Sequence, residues 1–333
     1  MPSITLILVA VVVLALTFDF INGFHDTANS IATSVSTRVL TPRMAIIMAA
    51  SLNFVGALVS ENVAKTISKG LVHGTLEQYV IVSALIAAIV WDLITWYIGI
   101  PSSSSHALIG GLVGASIAFA GGLQKIMWSG VLNKVIIPLF TSPVIGFVFG
   151  YLVMSIIYRI SRNASQRSVN KVFSKLQIVS AAIMSYSHGN NDAQKSMGII
   201  TLALVSAGLW DNDAGIPVSV KIACALAMAL GTSVGGWRII KTLGVNMIKL
   251  QPVGGFAAET SAAIVIEAAT AIGAPVSTTH VISTAIMGVG ASKRLSAVRW
   301  ILARNIVFAW VFTIPVTALL GALVTLVIKA IFL

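Results

Sequence analysis

Two short stretches set reactive groups among apolar neighbours: NGFHDTANS at 22–30 and HGNNDAQKS at 188–196. Each holds a carboxylate, Asp26 or Asp192, beside carboxamides and an imidazole. A carboxylate in the middle of an apolar helix costs about 2.5 to 3.5 kcal/mol on insertion scales, so something must compensate it. Carboxylate, carboxamide and backbone carbonyl oxygens together suit an alkali cation. Asp26 with Asn22 and Asn29, and Asp192 with Asn190 and Asn191, supply such sets. The competing reading is polar glue between helices. Lys195, three residues beyond Asp192, shares nearly its helix face and either neutralises it or reaches a bound anion. His25 can carry a proton near neutral pH.

A second pair of stretches suits an anion. PSSSSH at 101–106 and PVSTTH at 275–280 each place hydroxyls after a proline at the mouth of an apolar helix. There the backbone N–H groups are unpaired and the helix dipole is positive. Ser102, Ser103, Ser104 and Ser105, with Ser277, Thr278 and Thr279, add donors for a tetrahedral oxyanion. Ser and Thr also serve as ordinary helix caps, but a paired tract favours binding. The histidines, with His188 beside Asp192 and His106 and His280 closing the tracts, lack HxxxH or HExxH spacing, so neither a resident metal nor another cofactor is expected. Glu61, Asp92, Glu259 and Glu267 also fall in or near apolar runs without a repeated motif. Glu259 and Glu267, eight apart, share a face of one helix.

These groups need a membrane to give their placement meaning. Of the 333 residues 57% are hydrophobic and 9% charged, and the mean hydropathy is +0.97, which excludes a soluble domain. Apolar stretches of roughly 18 to 28 residues are long enough to cross the hydrocarbon core, so a multi-pass protein of the cell membrane is expected. The first twenty residues have neither a basic leader nor a small-x-small cleavage site and read as a retained first helix. The single cysteine, Cys224, offers no disulfide and reads as a packing residue. The net charge of +11 comes from Lys and Arg scattered at helix ends rather than from a basic patch interleaved with aromatics. It marks membrane orientation and not nucleic acid. Arg38 and Arg43, Arg159 to Lys175, Arg238 to Lys249 and Lys293 to Arg304 are expected in the cytoplasm, and the acidic loop at 206–217 outside.

Segments are predicted at 4–36, 42–60, 79–98, 101–120, 131–158, 177–205, 216–236, 253–272, 275–290 and 300–328. An internal repeat relates them. Asp192 lies 166 residues after Asp26, and IGAPVSTTHVISTAIMGVG at 272–290 follows IGIPSSSSHALIGGLVGAS at 98–116 with 174 residues between the prolines. The layout is a first membrane repeat at 1–157, a basic cytoplasmic linker at 158–176 and a second, inverted repeat at 177–333. Three crossings per half make the repeats inverted. Uncharged hydroxyl-rich turns at membrane depth are tolerated only where buried or lining a cavity, which makes the two tracts tips of re-entrant hairpins. Gly23 and Gly189 are expected to kink or unwind the helices through the two motifs. The fold class is an all-α integral membrane protein, an inverted repeat with broken helices and two re-entrant helical hairpins.

GFHDTANS and HGNNDAQKSMG resemble the paired GxNDxAN-type signatures of the inorganic phosphate transporter (PiT) family. PSSSSH and PVSTTH resemble its hairpin tips, and GGWRIIKTLG with GFAAET at 235–260 also matches. The resemblance covers nearly the whole chain. It implies a symporter, commonly a homodimer, that carries inorganic phosphate with a cation. Asp26, Asn29 and Asp192 would serve ion and phosphate, and Ser102 to Ser105 with Ser277 to Thr279 would hold phosphate oxygens. His25 stands where the first signature usually has Asn, and Gln194 with Lys195 where many members have Ala and Asn. An ammonium at Lys195 can replace a sodium ion and an imidazole at His25 can take a proton, so the resemblance leans to H⁺ over Na⁺ and allows a neutral metal phosphate as cargo. Rival readings are a symporter for another oxyanion such as sulfate, an anion channel, and an intramembrane hydrolase using Ser and His. The hydrolase lacks a GxSxG elbow.

Overall fold

The computed structural model of the protein describes residues 2–332 except 75 and 212. Thirteen α-helices are found among them: α1 (Pro2–Ser36), α2 (Pro42–Ala57), α3 (Asn62–Lys69), α4 (Gln78–Ile98), α5 (Ser104–Ala120), α6 (Trp128–Val131), α7 (Ile137–Ile160), α8 (Gln166–Ser206), α9 (Val218–Val234), α10 (Trp237–Lys241), α11 (Pro252–Ala271), α12 (Thr278–Lys293) and α13 (Trp300–Phe332). Sheet structure among the described residues is limited to an isolated bridge between Val72 and Ile126. Among the described residues four helical stretches, Leu6–Ser36, Gln78–Ile98, Trp128–Ile160 and Trp300–Ile331, are by length and composition able to cross a membrane. Two bent pairs, α2 with α3 at 63° and α9 with Arg238–Gly244 at 64°, raise the number to six. Much of the outer surface is apolar, with Leu319, Ile301 and Val144 all more than half exposed, as lipid contact requires.

Helix ends follow local chemistry. Ser103 caps α5 by accepting from His106 N at 3.2 Å, and Ser277 caps α12 by accepting from His280 N at the same distance. Gly99 ends α4 with φ +77°, and Gly273 stands just past α11 with φ +70°, a conformation that glycine adopts without a steric cost. The polar stretch expected to join the halves is itself mostly helical. Ser165 accepts from Ser168 N at 3.2 Å and starts α8 at Gln166, so residues 161–165 alone connect α7 to α8.

The packing is reciprocal. α2 lies on α8 as α9 lies on α1, and α5 packs on α13 as α12 packs on α7. Each half thus completes the other. Glycine makes the closest approaches: Gly23 meets the backbone of Met228 and Gly189 that of Asn53, leaving no room for a Cβ. This corrects one expectation. α1 and α8 run as unbroken helices through both motifs, because the glycines serve packing and the polar side chains find partners on other helices. The breaks fall at 58–61 and 235–236, between α2 and α3 and between α9 and α10.

α4 and α5, and α11 and α12, form the two hairpins. Their turns are held by the opposite half: Thr66 Oγ1 of α3 donates to Gly273 O at 2.7 Å, and Thr242 Oγ1 donates to Gly99 O at 2.9 Å.

Candidate functional site

The hairpin tips and the two motifs meet in the interior. Asn22, His25, Asp26, Asn29, Ser102, Ser103, Ser104, Ser105, Asn191, Asp192, Lys195, Ser277, Thr278 and Thr279 are all at most 2% exposed. Adjacent threonines of the second tip join the two carboxylates: Thr279 Oγ1 donates to Asp26 Oδ1 at 3.3 Å and Thr278 Oγ1 to Asp192 Oδ2 at 3.2 Å. Asn29 Nδ2 donates to Thr278 Oγ1 at 3.2 Å and to Thr279 Oγ1 at 2.8 Å. From the first tip, Ser104 Oγ lies 3.0 Å from Asp26 Oδ2 and 2.9 Å from Asn22 Oδ1. Four elements from both halves therefore converge on one centre.

Each carboxylate also has a basic partner. His25 Nδ1 lies 2.7 Å from Asp26 Oδ1, while Lys195 Nζ lies 2.7 Å and His188 Nε2 3.3 Å from the two oxygens of Asp192. Asp26, His188 and Asp192 each offer a ligand atom within 4.8 Å of the others. Spacing within one motif could not reveal this set, because its members come from two helices.

The remaining hydroxyls divide by role. Ser103 and Ser277 act as helix caps. Ser105 Oγ donates to Val276 O at 3.0 Å and ties one tip to the other, and Ser102 Oγ donates to Thr95 Oγ1 at 2.9 Å. His106 and His280 sit outside the centre, with ring centroids 5.0 Å apart, and His280 stacks on Trp310 at 3.9 Å. Asn191 points to Thr270, donating at 2.8 Å, and not to Asp192.

Several participants lay outside the repeated motifs. Thr95 Oγ1 lies 3.1 Å from His25 Nε2, Asn53 Oδ1 lies 3.1 Å from His188 Nδ1, and Asn190 Nδ2 donates to Glu267 Oε2 at 3.1 Å. Asp19 and Asp92 are fully buried, with neither oxygen partnered among the described residues. A signal for some of them existed. Asp92-x-x-Thr95 recurs as Glu267-x-x-Thr270 175 residues later, one residue out of register with the proline alignment. Glu259 and Glu267 both face α8 but take different partners, since Glu259 accepts from Thr33 and Ser180 and, at 3.2 Å, from Gln177. Glu61 lies at the bend between α2 and α3, paired with Lys221 and Lys65.

Two hairpins inserted from opposite halves, buried carboxylates on symmetry-related helices and a lipid-facing apolar shell define a multi-pass membrane transporter built from inverted repeats. The chain belongs to the phosphate transporter family, whose model matches residues 22–168 and 161–321. It is similar to a "Probable low-affinity inorganic phosphate transporter" of Bacillus subtilis (strain 168), 52% identical with all of both chains covered. A protein of Rhizobium meliloti (strain 1021) with the same description is 50% identical over 95% of each. Among solved structures, a sodium-dependent phosphate transporter superposes with a TM-score of 0.85 at 26% identity, covering 98% of this chain and 100% of that one. Phosphate is the substrate of the family, and these relatives are described as transporters rather than enzymes.

Proposed function

We propose that the chain imports inorganic phosphate by symport with a cation, a proton in preference to sodium, and that the hydroxyls of the two hairpin tips receive the phosphate. The observation that carries this reading is the double pairing at the centre. Asp192 already holds the Lys195 ammonium, and Asp26 already holds the His25 imidazole, so sodium would have to compete with a basic group at each carboxylate. His25 has an oxygen near each ring nitrogen, Asp26 Oδ1 and Thr95 Oγ1, which suits a ring that takes and gives a second proton. The unpartnered carboxyls of Asp19 and Asp92 add support, because such groups at this depth need a proton or a cation.

The set formed by Asp26, His188 and Asp192 would take a divalent metal ion, carried with the phosphate as cargo, only by displacing His25 and Lys195 from the two carboxylates, which the higher charge of such an ion favours over sodium. The family resemblance favours a homodimer as the working unit.

Phosphate uptake into proteoliposomes, with pH and sodium gradients imposed separately, tests the coupling. Uptake should follow an inward proton gradient and ignore sodium; accumulation driven by sodium alone would overturn the proton reading. Competition by excess sulfate against labelled phosphate separates the remaining oxyanion reading. Sulfate should not compete.

A further inference from the structure

Two of the basic segments expected in the cytoplasm, 238–249 and 293–304, meet at one end of the bundle. Between the end of α7, residues 247–254 and the end of α12 lies a cavity of about 500 Å³. Lys249, Lys293, Arg294 and Arg299 line it; all four are exposed at their residue surfaces. None of them forms an ion pair among the described residues, and none of the chain's ten acidic residues lines the cavity. Its floor is apolar, with Met247 and Val289 buried. Thr278 begins α12 at the central site and Lys293 ends it. Fifteen residues at 1.5 Å each put the cavity roughly 22 Å along the helix from that site.

Four uncompensated cations around an apolar floor match a phosphate group that carries a hydrocarbon tail. The neighbouring surface says where such a molecule comes from. Leu295 is 67%, Trp300 47% and Ile301 75% exposed, directly beside Arg294 and Arg299, and Trp is favoured at the headgroup level of a bilayer. We propose that this cavity binds the headgroup of an anionic phospholipid from the leaflet facing the basic end, with the tail leaving over Leu295 and Ile301. Basic pockets between membrane helices on the cytoplasmic side bind such headgroups. A free phosphate ion would use the cations but gain nothing from the floor.

Native mass spectrometry of the full-length protein in detergent, titrated with phosphatidylglycerol, phosphatidylcholine or inorganic phosphate, tests the assignment. Phosphatidylglycerol should bind in preference to phosphatidylcholine. The double variant Lys293→Ala/Arg294→Ala should weaken that binding about 25-fold, from a loss of about fivefold per cation. The control Lys171→Ala/Lys175→Ala, which removes two exposed lysines elsewhere, should leave it unchanged. Equal binding of the two lipids, or equal losses in both double variants, would overturn the proposal. Displacement of phosphatidylglycerol by inorganic phosphate at comparable concentration would assign the cavity to the free anion instead. Thermal unfolding of the variants alongside the parent separates lost binding from lost folding.

Discussion

Lys195 Nζ and Asp192 Oδ1 lie 2.7 Å apart with both side chains at most 1% exposed. An ion pair this deep owes its stability to both members, because removing one leaves an uncompensated charge. Lys195→Met should therefore lower stability by about 3 to 5 kcal/mol. The double change Lys195→Met/Asp192→Asn should recover most of that loss in thermal unfolding while remaining inactive in uptake. If the single variant unfolds with the double, the pair does not hold the fold in this way.

Gln194 Oε1 accepts from Val63 N at 2.9 Å and Ala64 N at 3.2 Å, capping α3 from a different helix. Gln194→Ala should cost about 1 kcal/mol, the usual size of a lost cap. Gln194→Glu keeps the cap acceptor but replaces the Nε2 that donates to Asn190 O with a second oxygen in a fully buried position, and should melt below the parent as well. Circular dichroism melts of the three proteins decide; an alanine variant that melts with the parent would remove the cap from the account.

The hairpin latches predict a selective effect. In a Cys224→Ala background, Thr66→Val should speed thiol labelling of Ala274→Cys and leave Ile100→Cys unchanged, whereas Thr242→Val should do the reverse. Equal acceleration of both reporters by either substitution would mean general loosening rather than two separate latches.

Close backbone contact gives a further prediction. Gly23→Ala and Gly189→Ala should fail to yield folded protein, since a methyl at either position meets the backbone of Met228 or Asn53. Gly121 has φ +64° and open space around its Cβ direction, so Gly121→Ala should cost only the local strain, about 1 to 2 kcal/mol. Size-exclusion profiles of the three variants make the comparison.

Most of the fold and much of the centre was legible because both rest on groups that are costly in lipid. Asp26, Asp192 and the paired Ser and Thr tracts stood out against apolar surroundings, and their repeat spacing gave the inverted architecture. What escaped depends on distance in sequence. Thr95, Asn53 and Glu267 join the centre through contacts 70 to 135 residues apart; Asn53 has no repeated counterpart, and the recurrence that marks Thr95 and Glu267 is one residue out of register with the proline alignment. The predicted kinks at Gly23 and Gly189 failed for a related reason. Glycine in a helix admits either a bend or a close neighbour, and only the tertiary packing of α9 on α1 and α2 on α8 selects the neighbour. Asp19 was passed over because nothing two turns before the motif repeats it at the corresponding Ser185.

The central claim is that phosphate is held where the two hairpin tips meet Asp26 and Asp192. Equilibrium binding of labelled phosphate to purified Ser104→Ala/Thr279→Val tests it most directly, with ligand-free unfolding recorded in parallel. Binding should fall by at least tenfold while the ligand-free protein remains folded; parent-like affinity in a folded variant would contradict the account.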